Sequence, residues 1–308
     1  MISVQNLSKR FGALQAVDRI SFEVSQGELF GFLGPNGAGK TTTISMISGL
    51  LRPDEGSVTI GEYDLWNSPR QAKRCIGLVP QEIALYEEFS ARENLMFWGG
   101  LYDLSRAELK KGIDEILQRV GLAERAREPV SRFSGGMKRR LNLAAGLVHR
   151  PRVLLLDEPT VGIDPQARNA ILEIIRDIAR QGTTIVFTTH HLEEAEKLCD
   201  RIAIMDHGRI LQTGSVRELA KVVGDRDVIT LRGRFSADEL KQCLKEAPVD
   251  VLSVGDQSAT LSLTGDHYGL ASLVERMGKA GIELVDVSVQ KPTLESVFLK
   301  LTGRELRD

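Results

Sequence analysis

Gly34-Pro35-Asn36-Gly37-Ala38-Gly39-Lys40-Thr41-Thr42 is the stretch of sequence that decides the fold. It fits G-x-x-x-x-G-K-[ST], the pattern of a loop that binds phosphate groups. The apolar run at 29–33 before it is typical of a buried strand, and residues 41–47 after it continue as the first turns of a helix. Glycines let the backbone curl so that its N–H groups, aided by the helix N-terminus, face an anion. We therefore predict a strand–loop–helix unit that binds the phosphates of a nucleotide.

Two side chains of this loop suit the charged end of a nucleotide. Lys40 is long enough to reach the β- and γ-phosphates as a point charge, and the Thr41 hydroxyl suits Mg²⁺. The alternative is a chance glycine-rich turn, which the flanking strand and helix disfavour.

A second motif consists of the aliphatic run at 153–156 followed by Asp157 and Glu158. Four consecutive aliphatic residues are expected of a parallel strand that is buried on both faces. Ligands of open α/β sheets bind at the carboxyl ends of such strands. One acid can hold Mg²⁺ through water, and the next can orient or deprotonate an attacking water. Without the phosphate loop upstream, the two acids would be interpreted as part of a solvated loop.

A third motif, Ser134-Gly135-Gly136-Met137, stands where an amphipathic helix is predicted from about residue 135 to 148. Ser134 is a favourable N-cap for that helix. Two glycines at a helix start are costly unless something approaches the backbone closely. A plain capped core helix is the alternative interpretation of this motif.

Together the three motifs resemble the nucleotide-binding domain of ATP-binding cassette (ABC) proteins, in order and spacing, over about residues 1–218. In that family the loop at 34–42 is Walker A, Asp157 is the Walker B aspartate and Glu158 is the catalytic glutamate. Residues 134–138 match the signature motif, with Met137 where Gln is commoner. None of the departures from the family pattern removes a group that the chemistry needs.

The resemblance assigns further residues by their position in this sequence. Gln81 matches the Q-loop glutamine, which senses Mg²⁺ and contacts the permease, and Asp164 lies in the D-loop, with Ile163 in place of the usual Leu. Phe11 falls where an aromatic residue, more usually Tyr, stacks on adenine. His190 matches the switch histidine that contacts the γ-phosphate, although His191 is adjacent.

The resemblance thus implies three sets of site residues, with ATP as the nucleotide and Mg²⁺ as the metal. The expected catalytic residues are Lys40, Glu158 and His190, and the expected Mg²⁺ residues are Thr41, Gln81 and Asp157. The expected nucleotide-binding residues are Phe11, Gly34, Pro35, Asn36, Gly37, Ala38, Gly39, Lys40, Thr41, Thr42, Gln81, Ser134, Gly135, Gly136 and Asp164.

The predicted fold class is α/β: a P-loop NTPase cassette with an antiparallel β subdomain and a helical signature subdomain, plus a small α+β domain. The length suits two domains, which we place at 1–218 and 226–308. Predicted elements after residue 226 follow the order β-α-β-β-α-β, which suggests a ferredoxin-like fold.

The resemblance also implies partners. In the family, the signature glycines grip the ATP held by a second cassette, so we expect a head-to-tail homodimer, with a heterodimer left open. Residues 291–303 resemble the ending of cassettes in the branch that exports drugs, antibiotics, lipids and polysaccharides, although a plain amphipathic terminal helix has the same pattern. We expect a separate transmembrane permease, contacted through the segment 81–93.

Composition fits this prediction. The chain is 27% charged and 42% hydrophobic with a net charge of −2, typical of a soluble globular protein and without indication of a nucleic-acid partner. No apolar run approaches the ~18 residues needed to cross a bilayer, and the first residues lack a signal-peptide pattern. The cysteines, Cys75, Cys199 and Cys243, are odd in number and widely spaced, which favours reduced thiols. We expect a cytoplasmic protein, peripheral on the inner face of the membrane through the permease.

Two other functions fit the motifs less well. A soluble ABC ATPase acting on ribosomes or DNA usually has two cassettes or a long coiled-coil insertion, and this chain has neither, nor a basic tail. A regulatory subunit without hydrolysis is disfavoured because Lys40, Glu158 and His190 are all present.

Overall fold

The computed structural model describes residues 1–224, 227–264 and 269–303. The chain divides into two compact units, Met1–Ile210 and Leu211–Asp308. The first unit therefore ends before residue 218, where we predict the end of the nucleotide-binding domain. The predicted start of the second domain at residue 226 and the terminal residues 304–308 lie outside the described residues.

The first unit contains ten strands and seven α-helices within the described residues, the last strand crossing the unit boundary. The strands are β1 (Ile2–Phe11), β2 (Leu14–Val24), β3 (Leu29–Leu33), β4 (Glu55–Ile60), β5 (Tyr63–Asp64), β6 (Ile76–Val79), β7 (Val153–Asp157), β8 (Thr184–Thr189), β9 (Arg201–Asp206) and β10 (Arg209–Gly214). The helices are α1 (Lys40–Ile47), α2 (Pro69–Arg74), α3 (Ala91–Gly99), α4 (Arg106–Arg119), α5 (Gly135–Leu147), α6 (Pro165–Arg180) and α7 (Leu192–Leu198).

A six-stranded sheet of order β10-β9-β3-β8-β7-β6 forms the centre of this unit. Strands β9, β3, β8, β7 and β6 pair in parallel, and every residue of β3, β7 and β8 is buried. Leu33 is in register with Thr189, and Asp157 with Thr188. The segments that follow β3, β7 and β8 therefore leave the sheet at one edge, and each carries a predicted functional motif.

An antiparallel sheet of order β2-β1-β4-β5 packs against the central sheet. Phe22 of β2 stacks on Phe30 of β3, with ring centroids 5.5 Å apart, and meets Phe32 edge-on at 5.0 Å. These rings belong to one apolar cluster that both sheets share. The predicted antiparallel β subdomain is confirmed.

Helices α3 to α5 form the predicted helical region. Ser90 and Ser105 each cap a helix in a complete capping box with Glu93 and Glu108, which fits the S-x-x-E pattern that favours a helix start. Helix α5 approaches β6 so closely that a Cβ at Gly77 would overlap the carbonyl oxygen of Gly146. Two glycines thereby allow the signature helix to pack on the central sheet.

The second unit contains four strands and four helices within its described residues. These are α8 (Val216–Ala220), β11 (Val228–Arg234), α9 (Ala237–Leu244), β12 (Val249–Gly255), β13 (Ser258–Leu263), α10 (Leu270–Lys279), β14 (Glu283–Gln290) and α11 (Leu294–Thr302). The sheet order is β12-β13-β11-β14, and its core includes Leu240 of α9 and Leu273 of α10. This β-α-β-β-α-β arrangement is the predicted ferredoxin-like fold. Among the helices of the described residues, none combines the length and apolar character needed to span a bilayer.

We expect Gly77→Ala to lower the free energy of unfolding by about 1–3 kcal/mol, since an added methyl overpacks the contact with α5. Gly112→Ala is the matched control, because its Cβ would make only an ordinary 3.5 Å contact with the Val148 carbonyl oxygen in a helix interior. Urea unfolding of both variants measures the difference. Equal stability of the two variants would show that the Gly77–Gly146 approach is not a constraint.

Candidate nucleotide-binding site

The loop between β3 and α1 adopts the glycine-dependent conformation expected of a phosphate cradle. Gly37 and Gly39 have φ angles of 81° and 104°, in the left-handed region that other residues rarely adopt. A Cβ at Gly34 would overlap the carbonyl oxygen of Met205. The Ala38 N–H donates to the Pro35 carbonyl at 3.1 Å, which closes the turn before α1.

Lys40 lies inside this loop with its ammonium almost fully buried. Nζ donates to the carbonyl oxygens of Gly34 at 2.7 Å and Pro35 at 3.0 Å, and it pairs with Glu158 Oε1 at 3.1 Å. The side chains of Lys40 and Glu158 are only 4% and 6% exposed. A buried charge must be paired, so these contacts fix Lys40 at the point where phosphate oxygens would arrive.

Asp157 ends β7 and joins two other elements through hydroxyl groups. Its Oδ1 accepts from Thr41 Oγ1 of α1 at 3.2 Å and from Thr188 Oγ1 of β8 at 2.8 Å. Burial raises the pKa of Asp157 above its usual value, and the two hydroxyl donors only partly offset this. A cation placed next to Asp157 would therefore displace any proton and hold the carboxylate in its charged form.

Glu158 occupies a strained backbone position between Lys40 and His190. Its φ angle is 45°, uncommon for a residue with a side chain, and its N–H donates to Thr188 Oγ1 at 2.9 Å. His190 Nδ1 lies 3.2 Å from Glu158 Oε2. Burial alone would raise the pKa of Glu158, but the hydrogen bond to His190 and the charge of Lys40 hold it below its usual value. Glu158 is therefore an ionised carboxylate, suited to accept a proton from water.

An open cavity of about 370 Å³ lies beside these groups. Its wall brings together residues from β1, the phosphate loop and the segment after β6 with Glu158 of the acid pair. The predicted site residues that line it are Phe11, Asn36, Gly37, Gly39, Lys40, Thr41, Thr42, Gln81 and Glu158. Phe11 is half-exposed at the rim, as a ring that stacks on a planar base requires.

The remaining nucleotide-binding candidates lie outside that cavity. Ser134 is the N-cap of α5, its Oγ accepting from Met137 N at 3.3 Å, and Asp164 caps α6 by accepting from Ala167 N at 2.9 Å. A Cβ at Gly136 would lie 2.7 Å from Ala167 Cβ, so this glycine allows the two helices to approach. Gly135 is exposed, and a Cβ there would meet nothing within 4 Å. The signature backbone is therefore open to an external ligand.

Three polar residues that the sequence did not indicate organise the loops around the site. Thr188 joins both acids, as described above. Arg139 of α5 donates to the carbonyl oxygens of Gln81 and Val161, which ties the Q-loop to the D-loop. Asn142, one turn later, accepts from Ala84 N at 3.1 Å and donates to the Pro80 carbonyl at 3.3 Å. The only sequence signal for Thr188 and Asn142 is a polar residue in an otherwise buried stretch, and Arg139, one of three consecutive basic residues, has no such signal.

The residues present fit Mg²⁺ bound together with nucleotide phosphates. Thr41 and Asp157 present a hydroxyl and a carboxylate oxygen in mutual contact, and Gln81 lines the adjoining cavity. Oxygen ligands are those that Mg²⁺ prefers, and it is commonly held by one or two carboxylates plus substrate phosphates. Within the described residues, no group of three or more His, Cys, Asp or Glu side chains could hold a metal alone.

Known proteins similar in sequence are ATP-binding proteins. The ABC transporter family profile matches residues 17–161. The linearmycin resistance ATP-binding protein of Bacillus subtilis (strain 168) is 44% identical, covering 100% of both chains. The daunorubicin resistance ATP-binding protein of Streptomyces coeruleorubidus is 40% identical over 99% of this chain and 97% of that protein. The Nod factor export ATP-binding protein I of Sinorhizobium fredii (strain NBRC 101917 / NGR234) is 40% identical over 100% of this chain and 87% of that protein.

Solved structures agree with the sequence relatives. An ATP-binding subunit of an ABC transporter gives a TM-score of 0.66 at 32% identity, covering 73% of this chain and 93% of that chain. A dimeric, post-hydrolysis ATP-binding cassette bound to ADP and Pi gives a TM-score of 0.63 at 26% identity, covering 70% of this chain and 98% of that chain.

The fold, the phosphate loop and the paired acids define a P-loop ATPase. The chain belongs to the ABC transporter family, in its exporter branch, and is an ATP-binding and ATP-hydrolysing subunit. These findings favour the transporter interpretation over the soluble ATPase that acts on ribosomes or DNA.

We expect Glu158→Gln to retain ATP binding and to lower ATP turnover by a factor of about 10²–10⁴, the range lost with a general base. Lys40→Ala should instead weaken ATP binding itself, because it removes the buried cation of the phosphate loop. Steady-state ATPase and equilibrium binding assays separate the two effects. Near-wild-type turnover in Glu158→Gln would remove this residue from the mechanism.

Proposed function

We propose that two copies of this chain close head to tail on two ATP molecules and drive export through a separate membrane permease. The observation that carries this proposal is the separation of the predicted ATP contacts into two sets, each reachable from outside the chain. One set lines the open cavity beside Lys40, and the other lies outside it at the start of α5, where Ser134 and Gly135 are exposed. A nucleotide held between two chains uses both sets at once.

Each side chain then has a defined task in hydrolysis. Lys40 binds the β- and γ-phosphate oxygens, and Phe11 stacks on the adenine at the cavity rim. Glu158, an anion paired with Lys40 and His190 before the nucleotide enters, orients the attacking water and accepts its proton once both partners contact the phosphates. His190, released from Glu158, contacts the γ-phosphate. Mg²⁺ held by Thr41, Gln81 and Asp157 would neutralise charge on the phosphates.

Signature groups from the second copy complete the site. The exposed N-terminus of α5 presents free backbone N–H groups and a partial positive charge, which suit a γ-phosphate. Asp164 and the segment before it lie at the start of α6, and Gly136 lets α6 pack beside α5. Closing the dimer therefore places the signature and the D-loop of one chain over the cavity of the other.

A permease helix is proposed to dock in a groove between the central sheet and the helical region. The groove has a volume of about 350 Å³ and a mainly apolar lining that includes Leu50, Leu78, Pro80 and Trp98. Leu50 is strongly exposed at its edge. Because Pro80 directly precedes Gln81 of the cavity, movement of this wall connects the groove to the nucleotide.

An aromatic patch extends this surface. Tyr86, Phe89 and Phe97 are each about 40% exposed, and the Tyr86 ring centroid lies 5.3 Å from Phe89 and 4.9 Å from Phe97. Exposed clusters of large aromatic side chains mark interaction sites more often than isolated ones do. We propose that this patch contacts the permease and so holds the chain at the cytoplasmic face of the membrane.

We expect Gly135→Asp to leave ATP binding to the single chain intact and to abolish ATP-dependent dimerisation and hydrolysis. The carboxylate would face the γ-phosphate of the partner's ATP, and like charges repel. Gly278→Asp is the matched control, since that glycine is also helical with open space around it. Light scattering and ATPase assays report the result, and an active Gly135→Asp dimer would contradict the head-to-tail arrangement.

We expect Tyr86→Ala and Phe89→Ala to reduce recovery of the protein with membranes that contain its permease, without lowering ATP affinity. Glu93, in the same segment, is a poorer probe because its carboxylate accepts from Ser90 N at 2.8 Å in the cap of α3. Val285→Ala, at a strongly exposed apolar position of the second unit, is the control. Recovery that depends on neither the permease nor the patch would remove the support for docking there.

A further inference from the structure

A buried carboxylate outside the nucleotide cavity joins three segments of the site. Glu194 of α7 is only 2% exposed. Its Oε1 accepts from Thr160 Oγ1 at 2.8 Å, and its Oε2 accepts from Thr189 Oγ1 at 2.6 Å. Arg168 Nε lies 3.6 Å from Oε1. We name this group, Glu194 with Thr160, Thr189 and Arg168, the Glu194 clasp.

The geometry shows that the threonine hydroxyls are the main partners of this carboxylate. Arg168 Nε makes no hydrogen bond within the described residues, so its interaction with Glu194 is electrostatic at a distance. Thr160 and Thr189 are both fully buried, and each hydroxyl needs an acceptor there. A charge at this depth is costly unless it is hydrogen-bonded. Each part of the clasp therefore constrains the others.

Each segment that the clasp joins carries a residue of the proposed chemistry. Thr160 follows Glu158 by two positions, and Thr189 directly precedes His190. Thr189 Oγ1 also accepts from the His191 N–H at 3.0 Å, which fixes the turn that presents His190. Arg168 lies in the first turns of α6, which Asp164 caps. The clasp connects the acid loop, the histidine loop and the helix after the D-loop.

We propose that Glu194 is a positioning residue for ATP hydrolysis, which sets the distance between His190 and Glu158 through the Thr160 and Thr189 hydroxyls. This proposal rests on the catalytic roles proposed above for those two residues. Only a carboxylate offers both of its oxygens as acceptors, whereas an amide offers one. The clasp does not touch the phosphate loop, so it acts on the chemical step and leaves ATP binding unchanged.

The test compares Glu194→Gln with Glu193→Gln in the full chain. Glu193 is the adjacent residue of the same helix, but its side chain is 85% exposed and pairs with Lys197 on the surface. We expect Glu194→Gln to lower kcat by about 10–100-fold, as small misplacements of reacting groups do, with KM for ATP unchanged. Glu193→Gln should match the unsubstituted chain in both constants.

A double-mutant cycle with His190→Ala, measured in single turnovers, distinguishes positioning from general destabilisation. If Glu194 acts through His190, adding Glu194→Gln to His190→Ala lowers the rate no further than His190→Ala alone. If the two substitutions instead lower the rate independently, so that the double variant loses the product of the two single factors, the proposal is overturned. An unchanged kcat in Glu194→Gln, or a rise in its KM alone, would also overturn it. Thermal unfolding confirms that the variants fold, and should Glu194→Gln not fold, Thr189→Val carries the same comparison.

Failure of this inference is distinguishable from failure of the proposed site. If Glu158→Gln and His190→Ala sharply lower the rate of hydrolysis while Glu194→Gln does not alter kcat, only the positioning role is wrong. If Glu158→Gln and His190→Ala both retain turnover, the site assignment itself is wrong, and Glu194 then has no catalytic residues to position.

Discussion

The buried ion pair between Lys40 and Glu158 is the interaction on which the rest of the site depends. An ammonium and a carboxylate 3.1 Å apart, both nearly inaccessible to water, are tolerable only while they face each other or an equivalent charge. Phosphate oxygens that enter the loop offer Lys40 such an equivalent. In the mechanism that we propose, Glu158 is then free to orient the attacking water, and His190, its other partner here, contacts the γ-phosphate. On this proposal, a single exchange of ion-pair partners at Lys40 both binds the nucleotide and frees Glu158 to act as the base.

The parallel sheet determines where that exchange takes place. The phosphate loop, the acids and the histidine follow β3, β7 and β8, which are neighbours in the sheet although far apart in sequence. Thr188 lies in register with Asp157 and bonds to both acids from the next strand. The glycines that allow tight approach, Gly77 with Gly146, attach the signature helix to the same sheet. The register of the central strands therefore sets the distances between the side chains of the site.

Local sequence patterns predict much of this architecture. The phosphate loop, the aliphatic strands, the capping boxes at Ser90 and Ser105 and the ferredoxin-like order are all read from short segments. The Glu194 clasp and the hydrogen bonds of Arg139 to Gln81 and Val161 cannot be predicted in this way. They join residues between five and 58 positions apart, and the partners are hydroxyls or carbonyls that belong to no sequence motif. Such contacts depend on strand order and helix packing, which a single sequence does not specify. The roles of the site residues stay predictions until they are measured.

Mixing two inactive variants tests the central claim, that each ATP is hydrolysed between two chains, most directly. Lys40→Ala impairs the phosphate loop, and Gly135→Asp impairs the signature start, but a mixed dimer contains one site in which both are intact. The account predicts that ATPase activity, absent from each variant alone, returns when the two are mixed with MgATP. A mixture as inactive as its components, although mixed dimers form, would contradict it.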